Sequence, residues 1–108
     1  KRCPGDEQVL EALGDLYTRT GRFEEGLLVD LDLVQRRPQD ARVWYNLACS
    51  FSLTGKIDEA FNALGRSFSM GYDDFEHLSA DPDLEPLRRD PRYQELMARF
   101  KRDCECPF

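Results

Sequence analysis

Apolar residues recur at intervals of three and four along the first two-thirds of this chain, which is the spacing of one face of an α-helix. Leu10, Leu13 and Tyr17 form the first such stripe. Gly21 follows it, and glycine readily adopts the positive φ that often ends a helix. The pattern therefore predicts a helix that ends near this glycine.

A second amphipathic helix is predicted to begin at about Phe23, with Leu27 and Val34 on its inner face. Pro38 ends it, because proline has no backbone N–H and clashes with the preceding turn. Asp40 is well placed to cap the next helix through its carboxylate. The first 40 residues are therefore predicted to form one helical hairpin.

The same arrangement returns 34 residues later, since TGRFEEG at 20–26 reappears as TGKIDEA at 54–60. This shift superposes Leu10 on Trp44, Leu13 on Leu47, Gly14 on Ala48, Tyr17 on Phe51 and Val34 on Phe68. The second hairpin then carries Ile57, Ala60, Phe61 and Leu64, and it closes at Gly71. Two copies of one helical hairpin are therefore predicted.

Small residues occupy matching positions in both units: Gly14 and Ala48 on the first helices, Gly26 and Ala60 on the second. A large side chain at these positions would force the paired helices apart and open voids. The helices of each hairpin are therefore expected to approach closely there.

This pattern resembles the tetratricopeptide repeat (TPR) family, both in Trp44-x-x-Leu47-Ala48-x-x-Phe51 and in Leu10-x-x-Leu13-Gly14-x-x-Tyr17. The resemblance covers about residues 6–72. Asp30 departs from it, because a large apolar residue is expected there, and Tyr72 stands in place of proline. The resemblance implies an all-α fold, in which antiparallel helix pairs stack as a short right-handed α-solenoid with C-terminal capping helices.

The last third of the chain departs from the repeat. A short helix is expected around Phe75, and Asp81-Pro82 and Asp90-Pro91 are typical helix starts. Pro86 is expected to limit the first of these to about one turn. A final helix from Pro91 to Arg102 is predicted from its apolar stripe of Tyr93, Leu96, Met97 and Phe100.

The string DPDLEPLRRDPRYQEL is similar to a closing segment of bacterial TPR arrays, which commonly follows a YNLAC helix such as Tyr45–Cys49. We therefore predict one domain over residues 1–108. Repeat 1 spans about 6–39, repeat 2 spans 40–72, a capping segment spans 73–103, and a tail spans 104–108.

Charge and composition narrow the classes of partner. The chain has 21 acidic and 15 basic residues, a formal net charge of -6, and its longest basic clusters are pairs. Because phosphate contacts dominate nucleic-acid affinity, we expect no nucleic-acid ligand. No apolar run approaches the roughly 18 residues that cross a bilayer, so we expect no membrane span. The start at Lys1, with no initiator Met or signal peptide, suggests a domain cut from a longer protein.

Candidate chemistry is sparse. His77 has no Ser or Cys at a spacing typical of a triad, and phosphate-loop, HExxH and calcium-loop patterns are absent from the sequence. Cys49 is expected to pack in the core. Cys3, Cys104 and Cys106 could hold zinc or pair, but the chain lacks Cys-x-x-Cys spacing. We therefore expect no enzymatic activity, no metal and no cofactor, and reduced thiols in a cytoplasmic protein.

The first helices of stacked hairpins line the inside of the curve, and in TPR proteins this face commonly receives a peptide. The predicted peptide-binding residues on that face are Gln8, Glu11, Asp15, Thr18, Arg42, Tyr45, Asn46, Cys49 and Ser52. The predicted function is thus a protein-interaction scaffold without catalysis. The alternative is self-association into homo-oligomers, such as a homodimer, through exposed repeat faces.

One TPR subfamily binds the C-terminal carboxylate of heat-shock chaperones through a basic clamp. Asn46 agrees with that clamp, but Glu11 and Asp15 replace the Lys and Asn expected on the first helix. Like charge would repel a carboxylate-terminated peptide. We therefore expect no binding of such tails and favour a partner that carries Lys or Arg.

Overall fold

A computed structural model describes residues 6–104, with the side chains of residues 8–100, and this part of the chain is all helix, turn and loop, without a strand. The α-helices are α1 (Asp6–Arg19), α2 (Phe23–Arg36), α3 (Ala41–Leu53), α4 (Ile57–Ser69), α5 (Phe75–Ala80), α6 (Glu85–Arg88) and α7 (Pro91–Cys104). A 3-10 turn, Pro82–Leu84, lies between α5 and α6. The predicted all-α class is confirmed.

The two predicted hairpin turns have the same backbone geometry. Gly21 has φ +82° and Gly55 has φ +81°, a region that favours glycine. In the first turn the Arg22 N–H donates to the Tyr17 carbonyl at 2.7 Å, and in the second the Lys56 N–H donates to the Phe51 carbonyl at 2.9 Å. The 34-residue repeat in the sequence is therefore also a repeat of local structure.

The first four helices pack in chain order, α1 on α2, α2 on α3 and α3 on α4. The small residues lie at these contacts, since Ala48 and Ala60 have no exposed surface. A Cβ added at Gly14 would lie 3.3 Å from Val29 Cγ1, tighter than most such contacts. The predicted close approach is therefore present in both hairpins.

The segment from α5 to α7 covers one end of this four-helix unit. The 3-10 turn packs on α3, while α6 and α7 pack on α4. Leu78, Leu84 and Leu87 have no exposed surface, and burial of each such side chain contributes about 1.5–3 kcal/mol. The segment thus belongs to the same apolar core as the hairpins.

Asp81 and Asp90 cap the helical turns that follow them, as predicted. The Asp81 carboxylate accepts from the Asp83 N–H at 3.0 Å, and the Asp90 carboxylate accepts from the Arg92 N–H at 2.9 Å. The helix that begins at Asp81-Pro82 is a single turn, Pro82–Leu84, as expected, and Pro86 lies in the first turn of the next helix, α6. Proline is tolerated there because the first N–H groups of a helix lack intrahelical acceptors.

The C-terminal helix is anchored to α4 by contacts at both of its ends. Arg92 Nη1 lies 2.7 Å from Asp58 Oδ1, and its guanidinium lies over the Phe61 ring. Phe100 packs on Phe68, with ring centroids 5.2 Å apart. The helix continues to Cys104, one residue into the predicted tail.

None of the described helices is long and apolar enough to span a membrane.

Substitution Ala48→Leu should lower the free energy of unfolding by about 1–3 kcal/mol, because the added carbons overpack a position with no exposed surface. Urea unfolding would measure the change. Ala98→Leu on the exposed side of α7 is the control and should change it by less than about 0.5 kcal/mol. Equal effects at the two positions would contradict close packing at Ala48.

Candidate functional site

A cavity of about 160 Å³ lies between α1, α2, α3 and the segment that follows α5. Six of the nine predicted peptide-binding residues line it: Glu11, Asp15, Thr18, Tyr45, Asn46 and Cys49. Gln8, Arg42 and Ser52 are not among the lining residues. The structure thus brings most of the predicted face together around one partly open cavity.

Acidic groups dominate this cavity. Five of its lining residues are Asp or Glu, and none of the described lining residues is Lys or Arg. The carboxylates come from three separate parts of the chain: Glu11 and Asp15 from α1, Asp30 from α2, and Asp81 and Asp83 from the segment after α5. The carboxylates therefore give the lining of the cavity a negative electrostatic character.

Glu11 is half-buried and ion-paired. Its carboxylate lies 2.6 Å from Arg37 Nη1 and 3.4 Å from Arg42 Nη2. Arg42 remains largely exposed. Its ion-pair partner within the chain is Glu11, a residue that we had predicted to bind the ligand. Glu11 consequently offers less negative charge to a ligand than the sequence predicts.

The other predicted residues of α1 remain accessible. Asp15 is exposed and pairs with Arg19 at 3.1 Å, a pair within one helix that water screens. Thr18 is half-buried and donates its hydroxyl to the Gly14 carbonyl at 3.0 Å. Gln8 is exposed on the first turns of α1, and Asn46 of α3 is exposed at the cavity.

Tyr45 departs from its predicted role. The side chain is only 4% exposed, its hydroxyl donates to the Asp81 carboxylate, and its ring stacks on Tyr72 with centroids 4.5 Å apart. Burial raises the pKa of the Tyr45 phenol well above its usual range, so the group stays a neutral donor. The prediction that this ring is presented to a peptide is wrong, because the chain itself covers it.

Cys49 and Ser52 are buried for the same reason. Cys49 Sγ lies 3.7 Å from Asp81 Oδ2, and the Ser52 hydroxyl donates to the Asp83 carbonyl at 2.7 Å. The 3-10 turn thus lies along the part of α3 that we had predicted to be open. The exposed face is therefore shorter than predicted, and it excludes Tyr45, Cys49 and Ser52.

These contacts give a physical reason for two motifs to occur together. Tyr45 and Cys49 belong to the YNLAC string, and Asp81 and Asp83 belong to the DPDL string. His77 adds a further contact, since its Nε2 lies 3.5 Å from Asp81 Oδ2 while the side chain stays 58% exposed. The side chains of Tyr45 and Cys49 in the first string thus contact the Asp81 carboxylate in the second.

Asp30 forms the deepest polar contact of the site. It is 7% exposed, and the Ser50 hydroxyl donates to its Oδ2 at 2.5 Å. Burial raises the pKa of Asp30 from 3.8 to about 6, although the Ser50 hydrogen bond opposes the shift. The carboxylate that interrupts the apolar pattern of the first repeat therefore connects α2 to α3.

The negative charge of the Asp83 carboxylate is the least offset by neighbouring groups of any in the cavity. Its pKa is raised, first by burial and then by the negative charge of Asp81. Among the described residues its carboxylate oxygens have no hydrogen-bond partner, although its backbone groups bond to Asp81 and Ser52. A positive group entering the cavity would thus meet an unpaired acceptor.

One group of metal-ligand type occurs in the described part of the chain. Ligand atoms of Cys49, Asp81 and Asp83 all lie within 4.8 Å of one another. Burial raises the pKa of the Cys49 thiol well above its usual range, which keeps it protonated and a poor metal ligand. Asp81 already accepts from Tyr45 and Cys49, so hydrogen bonding accounts for this group.

The side chains of Cys3, Cys104 and Cys106 lie outside the described residues, so the expectations about them stay predictions. Cys49 is free and buried, in agreement with its predicted place in the core.

Sequence reasoning missed half of the cavity. Asp30, Ser50, His77, Asp81 and Asp83 were not assigned to the site. Asp30 did have a signal, because it stood where an apolar residue was expected. Asp81 was assigned only a capping role, and nothing local links it to Tyr45, 36 residues earlier.

Substitution Asp30→Asn should make the stability of the protein less sensitive to pH. A folded-state pKa of about 6 against 3.8 in the unfolded chain means that ionised Asp30 destabilises the fold. This cost is small below pH 4, grows as the pH rises and is complete above the folded pKa, at about 1–3 kcal/mol. The advantage of the Asn variant should grow in the same way.

Urea unfolding between pH 4 and pH 8 would measure this difference. Asp73→Asn, on an exposed residue, is the matched control and should track the wild-type protein. A difference between Asp30→Asn and wild type that stays constant over this range would contradict the assigned cost.

Substitution Tyr45→Phe should lower the free energy of unfolding by about 1–2 kcal/mol, because it leaves the Asp81 carboxylate without its phenol donor. Thermal and urea unfolding would measure the loss. Tyr17→Phe is the control, since the Tyr17 hydroxyl has no hydrogen-bond partner among the described residues. A similar loss in both variants would show that the phenol contact adds nothing specific.

Part of this chain is similar to part of a protein of Arabidopsis thaliana, whose name describes it as chloroplastic. The chain is 31% identical to it over 87 residues, an alignment that includes 78% of this chain and 26% of that protein. The chain thus spans about a quarter of the relative that it matches. No protein-family model matches the chain, and no solved structure matches it.

Proposed function

We propose that this domain is a non-catalytic protein-interaction module, built as a short TPR-type stack with C-terminal capping helices. The observation that carries the proposal is the acidic cavity of about 160 Å³ on the inner side of α1 and α3. The repeated hairpin turns at Gly21 and Gly55 support the TPR-type assignment. A scaffold or adaptor role follows from a site that can bind a side chain of a partner protein.

The partner side chain that best fits this cavity is Lys or Arg. Asp83 has no partner for its carboxylate among the described residues, and Asp15 is exposed at the opening. A cationic group would offset the mutual repulsion of Asp81 and Asp83. Asn46 is exposed beside the cavity and can bond to a peptide backbone through its amide.

The same charges disfavour acidic ligands. A peptide that ends in a carboxylate, such as a chaperone tail, would meet Asp15 and Asp83 and lose affinity by repulsion. Nucleic acid would meet the same repulsion at every phosphate. We therefore assign a basic peptide or protein segment as the partner.

Two observations support a role without catalysis. The Cys49 thiol is buried and kept protonated, so it is not a nucleophile. His77 is largely exposed, and its ring nitrogen contacts Asp81 rather than an activated Ser or Cys. The polar contacts of the site are thus explained as structural.

A cytoplasmic location is part of this proposal and rests on the expectation that the thiols of Cys3, Cys104 and Cys106 are reduced. The name of the plant relative places that protein in the chloroplast. A fluorescent fusion of the natural full-length protein would decide the location.

Titration of ¹⁵N-labelled domain with an acetylated (Gly-Lys)₄ peptide should shift the backbone resonances of Thr18, Asn46 and Asp83, which surround the cavity. The positive side chain is expected to bind the carboxylates there, and affinity should fall with added salt. An acetylated (Gly-Glu)₄ peptide should cause no such shifts.

Substitution Asp83→Asn should weaken binding of the lysine peptide by about three- to tenfold, because it removes the unpaired charge. Asp73→Asn, which removes an equal charge outside the cavity, is the matched control. Resonance shifts spread evenly over the acidic surface would refute a specific site. An equal loss of peptide affinity in both variants would refute it as well.

A further inference from the structure

Asp30 differs from the other carboxylates of the cavity in its burial. Its side chain lies almost wholly inside the protein, whereas the other four acidic lining residues are half-buried or exposed. Its Oδ2 accepts from the Ser50 hydroxyl, while its Oδ1 has no hydrogen-bond partner among the described residues. One oxygen of a buried carboxylate is therefore available to a donor that enters the cavity.

Gly14 of α1 keeps this oxygen within reach of the cavity. A Cβ added at Gly14 would lie 3.3 Å from Asp30 Oδ1, and Gly14 is itself a lining residue. A side chain at this position would therefore crowd the oxygen. The close approach of α1 and α2 thus encloses the carboxylate without covering Oδ1 with a side chain.

The internal repeat shows that packing alone does not require an acid at this position. A shift of 34 residues relates Asp30 to Leu64, which has no exposed surface. A buried carboxylate is costly where a leucine would pack well. Natural sequences break such local rules mainly at functional sites, so the exchange of Leu for Asp favours a role beyond packing.

The neighbouring groups leave the charge of Asp30 free to change. The titratable groups that share the cavity are Glu11 and Asp15 from α1, Tyr45 and Cys49 from α3, and His77, Asp81 and Asp83 from the segment after α4. No Lys or Arg is among the described lining residues. Burial raises the pKa of Asp30 to about 6, and the cavity offers no permanent positive charge to lower it.

We propose that Asp30 makes ligand binding at the cavity depend on pH, because its ionised carboxylate attracts a positive side chain and its protonated carboxyl does not. This inference rests on the proposed function, since it concerns the same site and a basic ligand. By linkage, a ligand that prefers ionised Asp30 promotes loss of its proton, and the proton weakens ligand binding by the same factor. Affinity is thus greatest when Asp30 is ionised and falls as the pH is lowered.

His77 could produce a pH dependence of the same sign. Histidine changes charge between about pH 5 and pH 8, and His77 Nε2 lies 3.5 Å from Asp81 Oδ2 at the cavity. A protonated His77 would repel a basic ligand. The two groups can be separated by substitution, because they lie on different elements and contact different residues.

The test is titration of the ¹⁵N-labelled domain with the acetylated (Gly-Lys)₄ peptide at pH 5 and pH 7.5. The lysine side chains stay positive over this range, so only the domain changes charge. The dissociation constant should be about tenfold higher at pH 5 than at pH 7.5. Asp30→Asn should bind weakly at both values and lose most of this difference.

Two control variants should keep the dependence on pH. His77→Gln removes the competing titratable group, and Asp73→Asn removes an exposed carboxylate outside the cavity. Asp30→Asn should remain folded, because the Ser50 hydroxyl can still donate to the amide oxygen. Circular dichroism would verify that all three variants are helical.

The carboxyl ¹³C resonance of Asp30 gives a direct second measurement. Its titration midpoint should lie near pH 6 in the free domain and move to lower pH with saturating peptide. Ser50→Ala should move the midpoint to higher pH, because the lost hydrogen bond favours the ionised form. Ser67→Ala is the matched control, since it removes a buried hydroxyl of α4 that bonds to Leu64 instead.

The outcomes distinguish this inference from the proposed function. Equal affinity of the wild-type domain at both pH values would overturn the inference and leave the proposed function standing. A dependence on pH that persists in Asp30→Asn or disappears in His77→Gln would overturn it as well. Absence of binding at either pH would refute the proposed function, and the inference with it.

Discussion

The contact between α3 and the 3-10 turn organises the rest of this molecule. Tyr45 and Ser52 of α3 donate hydrogen bonds to Asp81 and to the Asp83 carbonyl, and Leu84 next to them has no exposed surface. The polar contacts orient the turn while the leucine supplies the apolar burial. Without this contact the inner side of α3 would be open and the cavity would lose two of its carboxylates.

The cavity places several negative charges in a partly dehydrated space, and each is compensated to a different degree. Glu11 is paired with two arginines, Asp81 accepts from a phenol, and Asp30 is relieved by Ser50 and by proton uptake near pH 6. Asp83 has the least compensation. Such an arrangement stores unfavourable electrostatic energy that a bound cation would release, which is why the proposed ligand is basic rather than acidic.

Helix α1 has three distinct faces, and their separation follows from the period of the helix. Leu10, Leu13 and Tyr17 pack towards the core, Glu11 and Asp15 line the cavity, and Val9 and Leu16 are uncovered. The matching face of α3 is covered by α2, so the difference between the two hairpins lies in their neighbours. Val9 and Leu16 make the exposed face of α1 apolar.

The sequence by itself determined the helices, the two hairpin turns and the repeat, because helical periodicity, a glycine at positive φ and aspartate caps depend on residues a few positions apart. It also marked Asp30 as anomalous. Only the tertiary structure decided that Tyr45, Cys49 and Ser52 are covered and that Glu11 is neutralised by Arg37 and Arg42. These contacts join residues 26 to 36 positions apart, and pattern along the chain carries no information about such pairings.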